Sequence, residues 1–371
     1  MSDMRRTRSS AYMEWAKLVS PARFNLAASG VMDYPLAELP VGIADLEIGG
    51  AAPYGWPPLL EALARKAGVS VDRVVTANGT SMANHLAMAA LVDPGDDVLI
   101  EEPAYDPLVA VAEYLGARVR RFPRRAENAW RIDPADVAVA LSPSTRLVVL
   151  SNLHNPTGAF TDEATLVRIG ELARATGARV LVDEVYLECV LDRPWRSCAH
   201  LGPQFVATSS LTKAYGLSGL RCGWILAETE VARRIWMLND LFGVIQPHPA
   251  ECLSVVALAH LARIAARSRA LLERNHALLG AFLDAHPDVV VARPEHGTVA
   301  FARWQAGDAG RLCALLRERH ETSIVPGSFF QRPDHFRVAI GGPSDVLEEG
   351  LRRLGLALDE AGGSTRPEVA R

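Results

Sequence analysis

From Arg73 to Trp224 the chain alternates short apolar runs with amphipathic stretches, and this alternation restricts its fold more than any other feature. Strands are expected at Val74–Thr76, Val98–Ile100, Arg118–Phe122, Leu147–Leu150, Val180–Val182, Phe205–Thr208 and Trp224–Ala227. Helices are expected between them at 80–92, 105–115, 133–140 and 162–176, with turn residues such as Asp93-Pro94-Gly95-Asp96 separating the elements. Strands that are Val/Leu-rich without alternation are buried on both faces. The fold class is therefore α/β: a large domain whose mostly parallel sheet is sandwiched by helices. Such sheets bind ligands at the carboxyl ends of their strands.

Elsewhere the pattern differs. A short helix is expected at Ala11–Lys17 and a strand over Phe24–Val31. Pro57 and Pro58 open an amphipathic helix carrying Leu59, Leu60 and Leu63, which Gly68 stops. After Gln246-Pro247-His248-Pro249 one long helix is expected from about Cys252 to His286. Strands at 289–291, 299–301 and 336–339 and helices at 309–319 and 344–360 then form a smaller α+β domain. A length of 371 residues accommodates this division. Residues 1–45 form an N-terminal segment joining the small domain, 46–250 the large domain and 251–371 the small one, with a disordered tail from Gly362.

Charge and cysteine usage narrow the partners. A net charge of -4 leaves no basic excess for nucleic acid or an acidic membrane. No apolar run approaches the length of a bilayer span, and the charged N-terminus lacks the apolar core of a signal peptide. The glycosylation sequon at Asn78-Gly79-Thr80 reads as a chance match. Five scattered cysteines, never spaced Cys-x-x-Cys, suit reduced thiols in the cytoplasm and offer no metal site.

The chemistry gathers around Ser209–Trp224, where hydroxyls, Lys213 and Arg221 lie between two apolar runs. A lysine at a buried strand end is poorly hydrated, so its amine is available to form Schiff bases. Hydroxyls with an arginine suit a phosphate. Ser210-x-x-Lys213 also fits a penicillin-recognising serine enzyme, but the Ser-Asp-Asn and Lys-Thr-Gly companions do not occur. Four more motifs sit at strand ends: Asn78-Gly79-Thr80-Ser81, Glu102-Pro103-Ala104-Tyr105, Asn155-Pro156-Thr157-Gly158 and Asp183-Glu184-Val185-Tyr186. Taken singly, each is an ordinary turn, acidic strand end or core tyrosine. Together they supply what pyridoxal phosphate requires: an amine, a carboxylate for the ring nitrogen, phenolate donors, a phosphate cradle and a ring to stack on.

In these motifs the chain resembles fold-type-I pyridoxal-phosphate enzymes of the class I/II aminotransferase family, over roughly residues 25–360. The resemblance implies that Lys213 is the catalytic Schiff-base lysine, Asp183 the partner of the ring nitrogen, and Asn155 and Tyr186 the partners of the phenolic oxygen. It assigns Gly79, Thr80, Ser210 and Arg221 to the phosphate and Tyr105 to stacking on the pyridine. Arg337, with Gly30 and Asn155, would take the substrate carboxylate. It also implies a homodimer with active sites at the subunit interface. One departure stands out: where the family often has a tyrosine reaching the partner's phosphate, this chain has Gly50, and Tyr54 is nearby but out of register. His296, in a loop that lines the substrate side in relatives, and His154 are further candidates.

The implied reaction moves an amino group between an L-amino acid and a 2-oxo acid. The same residues would also serve a lyase, synthase or cyclase acting through charge at Cα, so that alternative stays open. A non-catalytic pyridoxal-phosphate sensor would need a DNA-binding module ahead of this domain. A nicotinamide dehydrogenase would need a Gly-x-Gly-x-x-Gly after a strand, which is not found.

Overall fold

A computed structural model describes residues 9–50, 53–190 and 195–363. The chain opens with α1 (Ala11–Leu18), β1 (Phe24–Asn25) and α2 (Pro57–Ala67). Pro57 and Pro58 begin α2, where missing N–H groups cost nothing, and Gly68 ends it in the left-handed conformation. Then follow β2 (Val74–Asn78), α3 (Gly79–Leu91), β3 (Asp97–Glu102), α4 (Asp106–Tyr114) and β4 (Arg118–Pro123). The chain continues through α5 (Pro134–Ala140), β5 (Thr145–Ser151), α6 (Glu163–Thr176), β6 (Arg179–Asp183), β7 (Phe205–Ser210), β8 (Cys222–Leu226) and α7 (Thr229–Asn239).

Strands β2 to β8 form one seven-stranded sheet in the order β2-β8-β7-β6-β5-β3-β4. Only β8 runs antiparallel to its neighbours; the other pairs are parallel. Val98–Ile100, Leu147–Leu150 and Val180–Val182 are fully buried, which is why they carry apolar side chains on both faces. Because β8 opposes both of its neighbours, β2 points the same way as β7. Asn78, Glu102, Ser151, Asp183 and Ser210 therefore finish their strands along one edge.

The remaining elements are α8 (His248–Ala259), α9 (Leu261–Ala285), β9 (Val289–Val291), β10 (Val299–Trp304), α10 (Ala309–His320), β11 (Thr322–Ser323), β12 (Val325–Pro326), β13 (His335–Ala339) and α11 (Ser344–Gly363). Strands β12-β13-β10-β9 make an antiparallel sheet with its own core, including Leu312, Leu316, Phe336, Leu347 and Leu354. Helix α9 spans both cores, giving Ile264 and Leu272 to the first and Leu279, Phe282 and Leu283 to the second. A third cluster, Tyr12, Ala27, Trp130, Phe301, Val325 and Phe330, lies where the two sheets meet.

Three expectations need correction. The strand over Phe24–Val31 shrinks to Phe24–Asn25. Beyond it the chain hydrogen-bonds in turn to Ser323, Ala339 and Lys213 instead of one ladder partner. The single long helix is two, starting at His248 and bent by 75° around His260. No glycine or proline marks that break, and α8 and the first half of α9 pack on the same core. Gly362 and Gly363, expected in a disordered tail, complete α11, whereas residues 364–371 lie outside the described residues.

Candidate active site

One cavity of about 670 Å³ opens at the shared strand edge. Its wall includes Thr80, Ser81 and Asn84 from α3, Tyr105 before α4, Ser151 and Asn155 after β5, Asp183 and Tyr186 after β6, and Ser210, Thr212, Lys213 and Arg221 around β7 and β8. Every polar motif read from the sequence thus contributes to one place.

Lys213 follows β7 on a loop pinned by its own carbonyl, which accepts the Val31 N–H at 2.8 Å. Its pKa is lowered to about 8, first by burial and then by the Arg337 and Arg221 charges, with Asp183 opposing. Asp183 is 5% exposed, and burial raises its carboxyl to about 6. Hydrogen bonds limit that rise: Oδ2 accepts from Asn84 Nδ2 at 2.8 Å and Oδ1 from the Val185 N–H at 3.1 Å.

Beside the end of β2 the site is built for an anion. Gly79 makes the strand-to-helix turn at φ +75°, a conformation that favours glycine, and a β-carbon there would overlap the Arg221 guanidinium. Helix α3 has no capping side chain; the Gly79 N–H donates to the Arg221 carbonyl at 2.7 Å, and the first-turn N–H groups after it are left for a ligand. Thr80 Oγ1 donates to Ser210 Oγ at 2.8 Å, and Arg221 reaches the Asn78 carbonyl at 3.2 Å. Among the described residues, the buried Thr212 hydroxyl has no hydrogen-bond partner.

Arg337, on β13, is fully buried behind Asn155. It donates to Asn155 Oδ1 at 2.8 Å, Tyr12 Oη at 3.0 Å and the Ala27 carbonyl at 2.8 Å, and its Nε has no partner among the described residues. Asn155's oxygen is thereby committed, so its amide donors are what the cavity receives. Tyr186 donates to Ser29 Oγ at 2.8 Å, and burial pushes its phenol pKa up. The Tyr105 ring meets Tyr12 edge-on at 5.6 Å. Gly30 packs on Lys213, where a β-carbon would stand 3.4 Å from the lysine Cδ.

Other candidates lie elsewhere. His296 is buried but lines a separate cavity of about 210 Å³ with Trp130, Gly158 and Phe160, because its loop packs on the outer side of the Asn155–Gly158 turn. His154 is held neutral by burial, with Nε2 against the Pro103 carbonyl at 2.9 Å and Nδ1 against Thr157 at 2.7 Å. Gly50 faces the His248 ring with no room for a β-carbon, so a tyrosine does not fit at 50 in this backbone. Tyr54 instead sits 6.1 Å from the Trp236 ring, half exposed.

A sequence model of the family described as "Aminotransferase class I and II" matches residues 49–354. The chain is 31% identical to a capreomycidine synthase of Streptomyces vinaceus, over 90% of this chain and 89% of that protein. It is 30% identical to an arginine–pyruvate transaminase of Pseudomonas aeruginosa, over 80% and 78%. The chain belongs to the class I and II aminotransferase family.

A pyridoxal-phosphate-dependent aminotransferase from Streptococcus suis superposes with a TM-score of 0.91 at 27% identity, covering 96% of this chain and 99% of that one. This aminotransferase is accordingly a pyridoxal-phosphate enzyme that moves an amino group between an amino acid and a 2-oxo acid. The donor set fits that cofactor: an uncapped helix start with hydroxyls and Arg221, an unpartnered Thr212 hydroxyl, a buried carboxylate and a lysine of lowered pKa share one cavity.

Sequence reasoning missed several polar residues of the aminotransferase site. Asn84 bonds Asp183, Ser29 bonds Tyr186 and Tyr12 bonds Arg337. Behind them Glu101 accepts from Arg124 at 2.7 Å and from the Ser151 hydroxyl at 2.8 Å, which in turn accepts the Asn155 N–H at 3.2 Å. Only Asn84 had a local signal: it lies four residues after Thr80, on the same face of a helix otherwise rich in Ala, Leu and Met.

Proposed function

We propose that transamination takes place in the 670 Å³ cavity and that Lys213, Asp183 and Arg337 carry it. The observation behind this reading is that a lysine with lowered pKa, a buried carboxylate and an uncapped helix start share one wall. Pyridoxal phosphate, when bound, supplies an aldehyde for amines and a ring that draws electrons from the substrate's Cα. Lys213 is the amine that would hold that aldehyde. Its low pKa keeps part of it as free base near neutral pH, so it then carries the proton at Cα as base and acid in turn.

Asp183 would pair with the ring nitrogen, where a cation would strengthen its ionised form. Asn155 and Tyr186 would serve the phenolic oxygen, and Tyr105 would stack on the ring. Thr80, Ser210, Arg221 and the α3 start, made possible by Gly79, cradle the phosphate. Arg337 takes the substrate carboxylate beside Asn155, with Gly30 shaping the approach past Lys213.

The working unit is a homodimer. Ile48 (91% exposed), Leu241 (78%), Phe242 and Val244 are large apolar side chains open to solvent that a partner subunit would cover. The large domain is 46–250, and 251–371 forms the small one with residues 1–45. Five buried free cysteines suit a reducing cytoplasm.

The test is a single turnover. Holoenzyme mixed with individual amino acids, without an acceptor, should release about one equivalent of 2-oxo acid per site. A relative named as a synthase makes the contrary outcome specific: ammonia or a cyclised amino acid would assign this chain to the lyase, synthase or cyclase branch.

A further inference from the structure

We propose that Thr208 and Asn84 form a polarised relay that keeps only hydrogen-bond donors aimed at Asp183, and that this relay fixes the carboxylate for the cofactor's ring nitrogen. The inference rests on Asp183 being that nitrogen's partner.

The residues converge from three elements. Asp183 ends β6, and Thr208 is its register partner on β7. Asn84 comes from α3, which covers these strands. Thr208 Oγ1 donates to Asn84 Oδ1 at 2.6 Å, and Asn84 Nδ2 donates to Asp183 Oδ2 at 2.8 Å. All three are nearly out of contact with solvent, at 0%, 4% and 5% exposure for Thr208, Asn84 and Asp183.

An asparagine amide has two faces, and burial alone does not choose between them. Thr208 does. Its hydroxyl makes no other side-chain hydrogen bond among the described residues, so turning the amide would strand a buried O–H donor. The same turn would set the Asn84 oxygen against the Asp183 oxygen, an arrangement that only a protonated carboxyl tolerates. With the Val185 N–H on Oδ1, both carboxylate oxygens receive donors. The group is thus held in one plane and in its charged form, the form that pairs with a protonated ring nitrogen. Asn84 and Thr208 are positioning residues: they act through Asp183.

The experiment measures equilibrium binding to apoprotein of pyridoxal phosphate and of an analogue in which C–H replaces the ring nitrogen. The analogue keeps the aldehyde and the phosphate but offers Asp183 nothing. Wild type should prefer the natural cofactor, and Thr208→Val and Asn84→Leu should each lower that preference by about tenfold. Thr208→Ser, which keeps the hydroxyl, should retain it. A general packing defect would weaken both ligands equally and leave the preference intact, which overturns the relay. A wild type that binds both ligands equally well overturns the Asp183 pairing instead, so the two failures are distinguishable.

Discussion

Arg337 Nη1 donates to Asn155 Oδ1 across 2.8 Å, joining the antiparallel sheet to the cavity wall built on the parallel one. The guanidinium serves Asn155, Tyr12 and Ala27 together, a fan of donors that an ammonium at the same place cannot reproduce. Arg337→Lys should therefore raise KM for the amino acid by about a hundredfold, roughly 2.7 kcal/mol, while cofactor affinity stays within about threefold. Steady-state kinetics with a parallel cofactor titration check this. An unchanged KM would make the arginine a purely structural tie.

Asp183 places a cost on the empty fold. Its carboxyl titrates at about 6 in the folded chain against 3.8 for the free side chain. The folded state therefore binds its proton more readily, and stability falls as pH rises from about 4 through 6. The full difference is about 3 kcal/mol, from which Asp183→Asn gives back about 1 for the oxygen it loses. Apoprotein carrying Asp183→Asn should be more stable than wild type by about 2 kcal/mol at pH 7.5, and about 0.5 kcal/mol less stable than it at pH 4, while cofactor affinity drops. Denaturant melts at the two pH values decide; destabilisation at pH 7.5 would contradict the sign.

Gly79 is where the phosphate assignment is most exposed to test. Alanine there meets both a left-handed backbone and the Arg221 guanidinium. Gly79→Ala should weaken pyridoxal phosphate by about tenfold or more, yet leave pyridoxal, which lacks the phosphate, within about threefold. Equal losses for both ligands would place the damage elsewhere.

Behind the wall, Glu101 and Arg124 are both fully buried and paired at 2.7 Å. Arg124→Met leaves Glu101 without its counter-charge and should cost about 3–5 kcal/mol of stability. The loss is measurable by urea unfolding, and a change below about 1 kcal/mol would show that the pair is relaxed by water.

The parts of this molecule that were legible in its sequence are those where local pattern and tertiary role coincide. Leu147–Leu150 and Val180–Val182 read as buried strands because an unbroken apolar run belongs where both faces of a sheet are covered, and both are. Gly68 and Gly79 stood out because left-handed turns are where glycine is used. What was not legible depends on which elements meet. Nothing near His260 signals a 75° bend: no glycine or proline stands there, and the residues on both sides of it pack on the same core. The family resemblance puts the loop of His296 on the substrate side, but packing turns this residue into a separate cavity. The Asn84–Thr208 bond spans 124 positions and exists only because α3 crosses β6 and β7.

The most direct measurement is reductive trapping followed by peptide mapping. Borohydride added to the holoenzyme should fix the cofactor irreversibly on one peptide, the one that contains Lys213, and Lys213→Ala should yield no labelled peptide. A label on any other lysine, or none on the wild type, would contradict the assignment on which the mechanism depends.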